Sequence, residues 1–151
     1  MEKNMQARRC WPVLLIKANQ VLTEAACTLT QVRQQYSALT QQREKVDRML
    51  GEYLERHKAL TAGDHYISES LAIQRFMAQL SLMKDRIDAE ARRSESSCRN
   101  AAAALNAAQA EVSKFGKLID LESSVLRDGI RQAEARTYDE IALLRFNAPR
   151  R

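Results

Sequence analysis

The sequence predicts an all-α protein: a long antiparallel two-helix coiled-coil hairpin with an overhanging C-terminal helix. Three observations lead there. Gly and Pro are scarce, four and two in 151 residues, while Ala, Leu, Gln, Glu, Arg and Lys dominate, the residues that lose least entropy in a helix. Apolar residues recur in heptads through the first third of the chain. A single stretch, "TAGDHYISES", reads as a reversal. Aromatics make up only 5% of the chain against 28% charged residues, so a compact multilayered core is not expected.

The first helix is expected over about 13–61. One row holds Leu15, Leu22, Leu29, Tyr36 and Leu50; the other holds Ala18, Ala25, Val32, Leu39, Val46, Tyr53 and Leu60, with only Arg43 and His57 breaking the pattern. An apolar repeat of seven sustained this long marks a helix wound against a partner. Pro12 suits a first turn, where its missing N–H is no loss. Arg43 reads as a side chain snorkelling out of the seam, with register fixing or partner recognition as the alternative.

The reversal is expected over 62–67. Gly63 can take the left-handed geometry that ends a helix, and Asp64 or Ser68 can cap the next one. The second helix then spans about 68–146. Its opening, "IQRFMAQLSLMKDRI", sets Ile73, Phe76, Leu80, Met83 and Ile87 on one line. A reversal near Gly63 places partners whose numbers sum to about 126. Tyr53 then faces Ile73, Leu50 faces Phe76, Val46 faces Leu80, Arg43 faces Met83 and Leu39 faces Ile87. Met49, Leu54, Met77 and Leu82 flank this seam as apolar surplus, and the small-residue run "AAAALNAAQA" suits close approach near Leu22, Ala25 and Ala26.

The first helix is expected to run out opposite residue 113, leaving some thirty residues of the second helix, roughly 50 Å, without a mate. This overhang carries Phe115, Leu118, Ile119, Leu126, Ile130, Ile141, Leu144 and Phe146. An apolar face of that length on a soluble helix calls for a partner to cover it.

Several function classes fit poorly. No segment approaches the roughly 18–20 apolar residues of a membrane span, and "CWPVLLI" is too short for a signal-peptide core. Three cysteines without metal spacing, Cys10, Cys27 and Cys98, suit buried or half-buried thiols in a reducing cytosol. A net charge of +5, mixed along the chain and without aromatic platforms, argues against nucleic acid. His57 and His65 lack companions at metal-ligand spacing, and no phosphate loop or nucleophile motif occurs. The chain is therefore expected to be no enzyme and to hold no cofactor or metal.

Three stretches, "GEYLERHKAL" before the turn, "IQRFMAQLSLMKDRI" after it and "ARTYDEIALLRF" near the end, together with "VSKFGKLIDLE", resemble the FliJ/YscO family of flagellar and virulence type III secretion stalk proteins. The resemblance implies a non-catalytic stalk in the bacterial cytoplasm, peripheral to the inner-membrane secretion apparatus. It implies that the terminal end enters the hexameric secretion ATPase, through Arg8, Arg9, Leu118, Ile119, Leu126, Ile130, Arg136, Asp139, Glu140, Ile141 and Leu144. It also implies a contact with the cytosolic domain of the export gate through Gln42, Val46, Met49, Tyr53, Phe76, Leu80, Met83 and Ile87, and adds export chaperones as partners. A self-associating coiled-coil scaffold and a hairpin chaperone or adaptor are the alternatives.

Overall fold

The computed structural model describes residues 2–63 and 67–147, with side chains among them from Cys10 onward. Two long helices, α1 (Glu2–Thr61) and α2 (Ile67–Asn147), pack against each other, and no strand occurs among the described residues.

Helix α1 starts earlier than the heptads suggest and runs straight through Pro12. An interior proline forfeits one N–H···O bond and crowds the carbonyl four residues back, at about 3 kcal/mol. Part of that is offset next door, where Trp11 meets Phe115 with ring centroids 6.1 Å apart and planes inclined by 39°. Such pairs contribute about 0.5–1.5 kcal/mol beyond the area they bury.

The other end of α1 closes differently from the expectation. No described residue has positive φ, so Gly63 does not supply a left-handed cap. Instead the Thr61 hydroxyl is shared between the carbonyls of His57 and Lys58, at 3.1 and 3.0 Å. It thereby satisfies acceptors that a helix end leaves open. Asp64 and His65 lie outside the described residues, and Ser68 sits in the first turn of α2.

The chain forms two compact units, Thr23–Asn106 and Met1–Leu22 with Ala107–Arg151. In the first, Val46, Leu80 and Ile87 are buried, and Leu50, Tyr53 and Phe76 pack on them. Leu29 and Ala101 are buried as well. Of the heptad rows over 25–60, every member is buried or half-buried except Tyr36.

Cross-helix contacts fall on the expected register or slide from it by up to about one helical turn: Trp11 meets Phe115 and His57 meets Ser70 close to it, and the expected partners Val46 and Leu80 share one buried cluster. Tyr53 stacks on Phe76, not Ile73, with centroids 4.7 Å apart. Arg43 reaches Asp88, not Met83, with Nε 2.8 Å from Oδ1, and Lys84 pairs with Asp47. Residue numbers fall along α2 as they rise along α1. With Arg43 interrupting the apolar row, its long side chain reaches along α2 to a carboxylate, a better neighbour than a methionine, and Met83 is 51% exposed.

In the second unit the buried positions are Ala18 and Ala108. Leu15, Leu22, Val112, Phe115, Leu118 and Ile119 are half-buried. The expectation that Phe115, Leu118 and Ile119 stand on a bare overhang is thus corrected, because α1 runs on past Pro12. From Val125 to Asn147 every described residue is exposed.

Candidate functional site

The eight residues tied to the export gate by resemblance fall into three groups. Val46, Leu80 and Ile87 form the seam core, at 5%, 4% and 8% exposure. Tyr53 and Phe76 are half-buried against each other, and the Arg56 guanidinium stands 5.7 Å from the Tyr53 ring centroid. Gln42, Met49 and Met83 are exposed. Only the last group, with the edges of the second, presents side chains outward. Of the expected apolar surplus, Leu54 and Leu82 are exposed and Met77 half-buried; Leu71 is a further exposed apolar residue.

The two edges of unit Thr23–Asn106 differ in chemistry. One is closed by the Arg43–Asp88 and Asp47–Lys84 ion pairs. Toward the turn, Ser70 Oγ and Gln74 Nε2 lie within hydrogen-bond distance of His57 Nε2 across the helices, at 3.2 and 3.1 Å. His57 is therefore engaged in holding the helices together. The other edge carries Gln35, Gln42 and Met49 at seven-residue spacing on α1, and Met83, Glu90 and Ser97 at the same spacing on α2. Between these rows lies an open groove of about 470 Å³, lined by Gln35, Ala38, Leu39 and Gln42 of α1 and by Glu90, Arg93, Ser94 and Ser97 of α2. Sequence reasoning missed this groove and both ion pairs. The signal for the pairs was present, since Arg43, Asp47, Lys84 and Asp88 are charges flanking or replacing seam positions, where partner choice is set.

Residues tied to the ATPase ring lie in the other unit. Leu118 and Ile119 are half-buried, whereas Leu126, Ile130, Arg136, Asp139, Glu140, Ile141 and Leu144 are exposed. Arg8 and Arg9 fall within α1, but their side chains lie outside the described residues. The stripe Ala108, Val112, Phe115, Ile119 is buried or half-buried; it is interrupted at Glu122 and Ser123, and three- and four-residue steps resume through Leu126, Ile130, Ala133, Thr137, Ile141 and Leu144, all exposed. A helix stripe, apolar except at Glu122, Ser123 and Thr137, thus passes from covered to bare. Arg136 and Glu140 border it.

Among the described residues, no group of three or more His, Cys, Asp or Glu side chains is placed to hold a metal ion. Cys10 and Cys27 are exposed, against the expectation of buried or half-buried thiols, and Cys98 is half-buried, in line with it. No helix among the described residues is long and apolar enough to cross a membrane.

Comparison with known proteins adds one match. The family model of the flagellar FliJ protein matches residues 12–151, nearly all of the chain, from Pro12 of α1 through the stretch between the helices and all of α2. No curated protein and no solved structure matches it. With the two surfaces above and a family match of this extent, the chain belongs to the flagellar FliJ protein family.

Proposed function

We propose that the chain is a non-catalytic stalk of a flagellar or virulence type III export apparatus, an antiparallel coiled-coil hairpin working in the bacterial cytoplasm. In this reading the unit holding the termini inserts into the hexameric secretion ATPase. The unit Thr23–Asn106 contacts the cytosolic domain of the export gate, and the chain couples the two. Family membership supports the setting.

The single observation that carries the reading is the bare stripe on α2. Leu126, Ile130, Ile141 and Leu144 extend a stripe that is covered as far as Ile119, and Leu144 is 72% exposed. Large apolar side chains sharing one helix face favour burial by about 25 cal/mol per Å² of apolar surface removed from water. The interior of a ring of subunits would cover such a helix on all sides, and the mixed charges Arg136, Asp139 and Glu140 supply polar contacts around it.

The test is catalytic stimulation of the cognate ATPase. Purified full-length chain raises its turnover at substoichiometric ratio to the ring protomer, and the Leu126→Glu/Ile130→Glu variant does not. No interaction between the intact chain and the ATPase would defeat the proposal. Light scattering covers the alternative: a stable dimer at micromolar concentration, broken by the same variant, would assign the stripe to a second copy and the protein to a self-associating scaffold.

A further inference from the structure

We infer that unit Thr23–Asn106 carries a soft joint, residues 32–43 of α1 against 88–98 of α2, where the two helices part before the packed seam on either side of it does. The joint is a property of the free chain. It goes beyond the proposed stalk function and does not depend on it.

The pattern of burial locates it. In this unit the buried residues of α2, Leu80, Ile87 and Ala101, fall on one seven-residue row whose missing member is Ser94, only half-buried. On α1 the row Leu29, Tyr36, Arg43, Leu50 is exposed at its two middle members, Tyr36 by 38% and the Arg43 side chain by 50%. Between Leu29 and Val46, and between Ile87 and Ala101, no residue is buried. The seam therefore lacks a buried core for roughly 20 Å of its length. Open space flanks the same stretch on both sides. The groove of about 470 Å³ is bordered there by Gln35, Ala38, Ser94 and Ser97, and a second, of about 220 Å³, by Tyr36, Arg43, Asp88 and Ala91.

Three terms make this stretch the weakest of the seam. A serine in the row of Leu80, Ile87 and Ala101 buries little apolar area, and with water in both grooves, parting the helices here exposes little surface that was not already wet. The Ser94 Oγ is buried without a hydrogen-bond partner, a state that costs stability and that native structures hold in few places. The cross-helix tie in the stretch is polar, Arg43 to Asp88, and an ion pair half in water contributes little. The flanks differ on each count. Val46, Leu80 and Ile87 form a buried cluster with Leu50, Tyr53 and Phe76 packed on it, and Leu29 and Ala101 are buried on the other side. Neither helix is interrupted in the joint, so the give lies between the helices. Local opening follows low contact density, and a minimum bounded by tighter packing on both sides is distinct from fraying, which grows toward helix ends.

The experiment is hydrogen–deuterium exchange of the free full-length chain, read by mass spectrometry as protection along both helices. Amides of 32–43 and 88–98 exchange at least about tenfold faster than those of 46–53 and 76–87, and faster than those around Leu29 and Ala101. Two substitutions repair the seam. Ser94→Ala removes the unpaired hydroxyl, and Ala91→Leu extends an apolar side chain into the smaller groove; each slows exchange in the joint at least about threefold and leaves 76–87 unchanged. Protection that falls steadily toward the hairpin ends, with no minimum over 32–43 and 88–98, would overturn the inference. A fast-exchanging joint that neither substitution slows would overturn it as well, because its softness would then not come from seam packing.

Discussion

Replacing Leu80 with alanine separates hairpin packing from partner contact. Leu80 is 4% exposed, held by Val46, Ile87 and Phe76. Truncation removes three carbon groups from a buried site, about 2.4 kcal/mol at about 0.8 kcal/mol per group. A cavity adds to this, but a two-helix seam lies close to solvent and its neighbours can settle inward. The total therefore falls in the lower part of the 2–5 kcal/mol range known for such changes, about 2.5–3 kcal/mol. Met83→Ala removes a side chain that is 51% exposed, and its effect stays within about 0.5–1 kcal/mol. Urea unfolding followed by far-ultraviolet circular dichroism reads both midpoints at unchanged slope. Gate affinity, measured under conditions where both variants are folded, falls for Met83→Ala. Equal midpoints for the two variants would mean that the seam does not pass through Leu80, and the division between core and contact residues would collapse.

Other outcomes follow from single contacts. A double-mutant cycle on Arg43→Ala and Asp88→Ala gives a coupling of about 0.5–1 kcal/mol at low salt that shrinks in concentrated salt; zero coupling at low salt contradicts the register. At Gly51 an added Cβ meets nothing within 4 Å, so Gly51→Ala stabilises by about 0.5–1 kcal/mol in thermal or urea unfolding, and a loss of stability shows that the site is not open. Trp11 is the sole tryptophan; Phe115→Ala removes its stacking partner and shifts its fluorescence emission to longer wavelength, whereas an unchanged spectrum argues against the Trp11–Phe115 contact.

Much of the architecture was legible because helix packing writes itself into periodicity. The heptad rows of α1 name the half-buried and buried residues with Tyr36 as the outlier, and the apolar line Ile73, Phe76, Leu80, Ile87 names the face of α2 that meets them. Register was legible to within about a turn: Trp11–Phe115 and His57–Ser70 lie close to the expected one, while Arg43–Asp88 and Asp47–Lys84 reach past it. Repeats of seven look alike when slid by three or four residues, and what selects among them here is a pair of ion pairs and an aromatic contact. The start of α1 was misjudged for another reason. Pro12 is a strong local signal, and a contact more than a hundred positions away in sequence, Trp11 on Phe115, accompanies the helix through it. At the candidate gate surface, resemblance gathered eight residues without distinguishing those that build the seam from those that face outward. That distinction needs three-dimensional burial, since Leu80 and Met83 lie on the same apolar line.

The two proposed surfaces make different demands on the fold. The stripe of Leu126, Ile130, Ile141 and Leu144 touches nothing that must be given up on binding, so a partner gains its whole apolar area at little internal loss. The gate-facing surface shares Tyr53 and Phe76 with the seam core, and Val46, Leu80 and Ile87 lie directly beneath it. A partner there can gain from the exposed edges of the aromatic pair and from Met49 and Met83, while any deeper contact must first open the packing that keeps the helices together. Loss of gate binding on substituting Val46, Leu80 or Ile87 is therefore a report on hairpin packing, transmitted to the surface through Tyr53 and Phe76. Loss on substituting Gln42, Met49 or Met83 reports contact. Restoring the seam volume separates the two: Leu80→Met, which conserves bulk, keeps binding where Leu80→Ala loses it. If Leu80→Met fails as completely as Leu80→Ala while the hairpin remains as stable as wild type, the leucine side chain itself must reach the partner, and the surface has to open on binding.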